Sequence, residues 1–144
     1  MSNEVRKPFS RELHKANDPP ARKVVKEYLK KQSIIVQDNP NQFGVDLLSV
    51  DGTLMIEVEH RLSWRGEEFP FEEVNIPRRK KYLGEGKIQY FILSYDYSHL
   101  GMINGDGVKP YIVDNNLHIN KNRFVAEGEF FYKVPRSAFR WVKL

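Results

Sequence analysis

Asp46 and the run Glu57-Val58-Glu59 are the residues whose types and spacing point to chemistry. They flank Asp51-Gly52, a strong signal for a two-residue hairpin turn. Asp46 lies six residues before Gly52 and Glu57 five after it, so a hairpin closing there makes them near cross-strand neighbours. Directly opposite residues have Cβ atoms about 4.5–5.5 Å apart. Two carboxylates at that separation repel, and a hard divalent cation bound through oxygens relieves the repulsion. Magnesium takes one or two protein carboxylates and keeps waters, one of which can attack a phosphodiester. The other reading is that Glu57 and Glu59 form the wet face of an antiparallel sheet. A hairpin and a basic helix on either side argue for a covered strand, where acids without a purpose are costly. Spacing alone leaves both readings open.

The elements that must position these residues are legible on either side. Asp18 stands where an N-cap should, Pro19 and Pro20 suit a first turn, and Ala21, Val24, Val25, Tyr28 and Leu29 share one helical face, so a helix is expected from about Pro19 to Lys31. Before it, Met1 to Asn17 is polar and aperiodic, as in a flexible arm or an irregular helix. Ser33 to Gln37 reads as a strand, closed by the turn-rich Asp38-Asn39-Pro40-Asn41. Gly44 leads into a strand at Val45–Val50, and Leu54–Arg61 pairs with it. In that second strand Leu54, Ile56 and Val58 share one face, and Met55, Glu57, Glu59 and Arg61 the other. A loop is expected from Leu62 to Asn75, then a short helix at Ile76–Leu83 opened by Pro77 and stopped by Gly84 and Gly86. Ile88–Ser94 is apolar enough for the sheet interior, and further strands are expected at Gly101–Asn104, Tyr111–Asp114 and Glu129–Val134. The sum is an α/β fold with a mixed central β-sheet flanked by helices, a single domain over 1–144.

Hydrophobic residues make up 40% of the 144 and charged residues 29%, which is too apolar for a disordered chain and too charged for a membrane protein. No signal-peptide run opens the sequence, and cysteine is absent, so disulfides, thiolate zinc sites and cysteine nucleophiles are excluded. A reducing cytoplasm is the expected compartment. Residues 1–31 carry nine Lys/Arg against four Asp/Glu, while the whole chain has a net charge of +4, so the basic excess is concentrated there. Such a face suits a phosphate-rich partner, although solvated lysines on an ordinary helix give the same count. Arg78-Arg79-Lys80-Lys81 fits phosphate contact or a solvated helix face. Trp64, beside Arg65, suits stacking on an unpaired base or packing beneath its own loop. The four histidines lack metal spacing, and neither a glycine-rich phosphate loop nor a GxSxG elbow is present.

From Asp18 to Ser94 the sequence resembles the PD-(D/E)xK, or restriction-endonuclease-like, nuclease superfamily. The likeness rests on a helix, a strand, Gly44-Val45-Asp46, the turn, Ile56-Glu57-Val58-Glu59, then a basic helix and another strand. It implies an αβββαβ core with extra C-terminal strands and a Mg²⁺-dependent DNA endonuclease in which Mn²⁺ can substitute. Asp46 and Glu57 fall on the positions that hold the metal, joined by the carbonyl of Val58. Two departures stand out. Val45 replaces the usual proline, and Glu59 occupies the usual lysine position. Some members carry Glu there, which implies a role for Glu59 in orienting or deprotonating the attacking water. Arg61, Arg79 or Lys80 then has to supply the missing cation. Asp18 resembles the extra acid many members carry on the first helix. Trp64-Arg65 with Glu72 to Lys81 resembles a phage or mobile-element branch, whose compartment is the host cytoplasm. Cutting both strands implies a homodimer. The alternative is a decayed nuclease fold that binds nucleic acid or a protein without cleavage.

Overall fold

The structure, a computed structural model, describes residues 11–41, 44–85, 87–119 and 130–144, with only the backbone for 11–18. Helix α1 spans Arg11–Lys31. The strands are β1 (Val36–Asp38), β2 (Leu47–Ser49), β3 (Met55–Arg61), β4 (Glu73–Pro77), β5 (Ile88–Ser94), β6 (His99–Asn104), β7 (Leu117–Ile119), β8 (Phe130–Pro135) and β9 (Arg140–Lys143). A 3₁₀ helix runs over Arg78–Gly84 and a single-turn α2 over Gly105–Val108. The protein is therefore mixed α/β. Its main sheet has six strands in the order β1-β2-β3-β5-β6-β9, and β4-β8-β7 form a second sheet. In the main sheet β3 and β5 run parallel, and the other neighbours run antiparallel.

Two apolar layers sandwich the main sheet. On one face Ala21, Val25 and Leu29 of α1 pack on Leu47, Ile56, Val58, Phe91 and Leu93. On the other, Val74, Ile76, Tyr132 and Val134 of the second sheet, with Leu83, pack on Tyr90, Ile92 and Ile103. The expected alternation of β3 holds: Ile56 and Val58 face α1, which leaves Glu57 and Glu59 on the face toward the second sheet. The acids thus lie between layers, not on a wet face.

Several expectations need correction. The helix starts at Arg11 instead of Pro19, so Asp18 is within α1 and not at its N-cap. Pro19 and Pro20 lie inside the helix and are exposed, and Ala21 is the first described side chain of α1 that is buried. The helix ends at Ser33, whose positive φ of 65° lets Ser33 N–H bond to Lys30 O and Ile34 N–H to Leu29 O. That Schellman stop occupies the start of the expected strand and shifts β1 to Val36. The turn at Asp51-Gly52 is a four-residue loop, since Ser49 N–H bonds to Leu54 O. The Asp51 carboxylate accepts from Ser49 Oγ, Thr53 Oγ1 and Thr53 N–H inside it. β4 takes the end of the loop expected up to Asn75 and the first two residues of the helix expected at Ile76–Leu83, which starts at Arg78 and is 3₁₀. Helix α1 covers one face of the sheet, but it is the second sheet and not a helix that covers the other. Tyr111–Asp114 forms no strand: Lys109–Tyr111 and Asp114–Asn116 are 3₁₀ turns. The strand at Glu129–Val134 is β8, of which residue 129 lies outside the described residues.

Candidate active site

Asp46 directly precedes β2, and the pairing Leu47↔Ile56 places it one step along the ladder, opposite Glu57. The loop before it is braced by Asn39, whose Nδ2 donates to Val45 O at 2.8 Å and whose N–H donates to Asp46 O at 3.0 Å. Gly44 makes this possible, because a Cβ there would lie 2.5 Å from Asn39 Nδ2. Asp46 Oδ2 accepts from Val58 N–H at 2.7 Å, where a longer β2 would have supplied a backbone carbonyl. In an extended strand the N–H and C=O of one residue point to the same side, so the Val58 carbonyl also faces the Asp46 edge.

Glu57 is 8% exposed, a burial that an ionised carboxylate tolerates only with donors. Tyr82 supplies one, its Oη donating to Glu57 Oε2 at 2.8 Å. Lys80 Nζ lies 3.4 Å from the same oxygen and 3.3 Å from Glu59 Oε1. Lys80 reaches inward because it sits at a kink in the 3₁₀ helix, with φ −99° and ψ 22°. Its neighbours Arg78, Arg79 and Lys81 are exposed. Burial alone would lower the Lys80 pKa, but Glu59, Tyr90 and Glu57 outweigh it and hold the ammonium protonated, well above its ordinary range. Tyr82 is pushed up by burial and then by the Glu57 carboxylate, and so stays a donor. Asp46 adds to that shift, which places all three groups within one electrostatic neighbourhood.

Glu59 is engaged on both oxygens. Oε2 accepts from Tyr90 Oη at 2.7 Å and pairs with Arg61 Nε at 2.5 Å, while Oε1 faces Lys80. Burial would raise its pKa, but the charges of Arg61 and Lys80 and the Tyr90 hydrogen bond lower it to about 2. A carboxylate this weakly basic and this fully partnered suits an anchor better than a general base. Arg61 is committed too, donating through Nη2 to Asn75 O and Tyr90 Oη, both at 2.9 Å. It ties β3 to β4 and β5 and is poorly placed to meet a phosphate.

Of the three cations that the resemblance offered for the missing lysine, the structure brings Lys80 to the acid pair. Tyr82 and Tyr90 escaped the sequence reading. The signal for Tyr90 was there: it alternates with Ile88 and Ile92 on the face that Glu57 and Glu59 share, and pairs in register with Glu57. Trp64 is 1% exposed, donates through Nε1 to Glu67 O at 2.6 Å and packs edge-on against Phe69 and Trp141. It is a core residue and stacks on no base. Arg65 lies over the Tyr95 ring, 4.7 Å from its centroid. The Asp18 side chain lies outside the described residues.

Among the described residues no group of three or more His, Asp or Glu side chains is gathered as a metal site. The donor set at Asp46 and Glu57 is two carboxylates and a carbonyl edge, all hard oxygens. That matches Mg²⁺, which needs only one or two carboxylates. Tyr82 and Lys80 both act on Oε2 of Glu57, which leaves its second oxygen for a cation. Among the described residues no helix is long and apolar enough to cross a membrane. Neither a family model, nor a curated protein, nor a solved structure matches this chain.

Proposed function

We propose that the protein is a Mg²⁺-dependent DNA endonuclease with a restriction-endonuclease-like core. The observation that carries this reading is Lys80: a largely covered, protonated amine seated between Glu57 and Glu59, where the resemblance lacked a cation. The order α1-β1-β2-β3, then, after the inserted β4, a basic helical segment and β5, supports the same core, with a 3₁₀ helix in place of its second α-helix.

Asp46 and Glu57 would hold the ion with the Val58 carbonyl. When bound, Mg²⁺ supplies Lewis acidity and lowers the pKa of the attacking water. Lys80, already charged, offsets the negative charge that develops on the scissile phosphate. Glu59 fixes Lys80, and Tyr82 fixes Glu57. Arg78, Arg79 and Lys81, exposed on the same 3₁₀ helix, contact flanking phosphates. Cutting both strands calls for two copies of the centre, hence a dimer on duplex DNA.

The test is nicking of plasmid and branched DNA in Mg²⁺ and Mn²⁺ by wild type and Asp46→Asn. The variant should lose cleavage and calorimetric Mn²⁺ binding while its circular dichroism is unchanged. Inactive wild type on duplex, branched and single-stranded DNA overturns the enzyme reading. DNA binding without cleavage would leave the decayed module, for which the position of Glu59 speaks.

A further inference from the structure

An open cleft of about 650 Å³ begins at Glu59, two residues along β3 from Glu57. Glu59 and Arg61 line one part of it, and the 69–73 loop with the outward residues of β4 and β8 line the rest. Its charges differ from those of the neighbouring basic helix. Glu72 and Glu73 are exposed on it, and its one lysine, Lys133, is paired with Glu73 at 3.8 Å. Arg61 is committed to Glu59 and to Asn75 O. None of Arg78, Arg79 and Lys81 lines the cleft. Three carboxylates, Glu59, Glu72 and Glu73, line it against two cations, each of them already paired, so the cleft does not favour a phosphate. Phe71 lines it with half its surface in water, its ring packed edge-on against Phe69 at 5.6 Å.

An uncharged, flat group carrying N–H donors suits these walls, and a nucleobase is such a group. Every base has a π face to stack on an aromatic ring, and a glutamate accepts from an exocyclic amino group such as that of cytosine. We propose that the cleft receives one unstacked base of the strand being cut, stacked on Phe71 with its amino edge toward Glu72 and Glu73. Phosphates are drawn to the exposed residues of the basic 3₁₀ helix, and the base turns into the acidic cleft. This rests on the nuclease reading above and adds its substrate: DNA with an unpaired or readily extruded base beside the scissile phosphate.

Fluorescence anisotropy in Ca²⁺ tests it, with a labelled duplex carrying a single cytosine bulge and the same duplex abasic at that position. Wild type should bind the cytosine bulge about 5–150-fold tighter, the range expected for one stacked base. Phe71→Ala should lose that preference and keep the salt dependence of binding. Lys81→Ala should keep the preference and flatten the salt dependence, because one phosphate contact is gone. Equal wild-type affinity for the bulged and abasic duplexes overturns the pocket alone, whatever the variants do. Failure of wild type to bind any DNA overturns the nuclease reading and the pocket with it.

Discussion

Lys80 and Tyr82 do different work on the same carboxylate, and substitution separates them. Lys80 brings a full charge to Glu57 and Glu59, so Lys80→Met should slow nicking about 10²–10³-fold, the usual loss for one preorganised charge-stabilising donor. DNA binding in Ca²⁺ should be nearly unchanged. A variant cutting at the wild-type rate would return Lys80 to a structural ion pair. Tyr82 brings only a hydrogen bond, but to the carboxylate proposed to hold the metal. Tyr82→Phe should weaken Mn²⁺ binding about tenfold, the lower end for loss of a group that orients a metal ligand. Calorimetry on the two proteins decides it, and equal affinities would remove Tyr82 from the site. The pairing of Asp46 with Glu57 was legible in the sequence, because strand periodicity and a turn fix register by counting. The arrival of Lys80 was not. It depends on how residues 62–87 return over the sheet between two parallel strands, and no local pattern encodes that path.

At the scale of elements, the end of α1 carries a strain that one substitution relieves. Ser33 holds a left-handed conformation at φ 65°, and an L-residue there costs about 1–2 kcal/mol. Glycine meets no such cost but loses more entropy on folding, so Ser33→Gly should stabilise the protein by about 0.5–1 kcal/mol, read as a higher urea midpoint. A lower midpoint would show that the Ser33 side chain contributes something its backbone does not reveal. The same residue shows why boundaries were harder to read than the elements themselves. Ser33-Ile34-Ile35 has strand composition, yet its first residue stops a helix. β4 was hidden for a related reason: Glu73-Val74-Asn75-Ile76-Pro77 offers only two apolar positions and gains strand character by pairing with β8. Tyr111-Ile112-Val113 shows the reverse: the β-branched Ile112 and Val113 lie between two 3₁₀ turns and join no strand, with Tyr111 and Ile112 packed against the core.

For the whole molecule, the cluster around Glu59 links stability to pH. Glu59 joins β3 to β5 through Tyr90 and to the 3₁₀ helix through Lys80, and Arg61 carries the connection on to β4. Its folded pKa of about 2 lies below the ordinary 4.5, so the folded protein keeps this carboxylate ionised where the unfolded chain protonates it. Its contribution is complete above about pH 4.5 and is lost as pH falls toward 2, a total of about 3 kcal/mol. Urea unfolding without divalent ions should therefore show wild-type stability declining across that window. Glu59→Gln, which cannot titrate, should start lower and decline less steeply. The two lines should converge as the pH falls, because protonation removes from wild type the charge that the variant already lacks. Parallel profiles would mean that Glu59 is solvated in solution and that the layers are held by their apolar contacts alone.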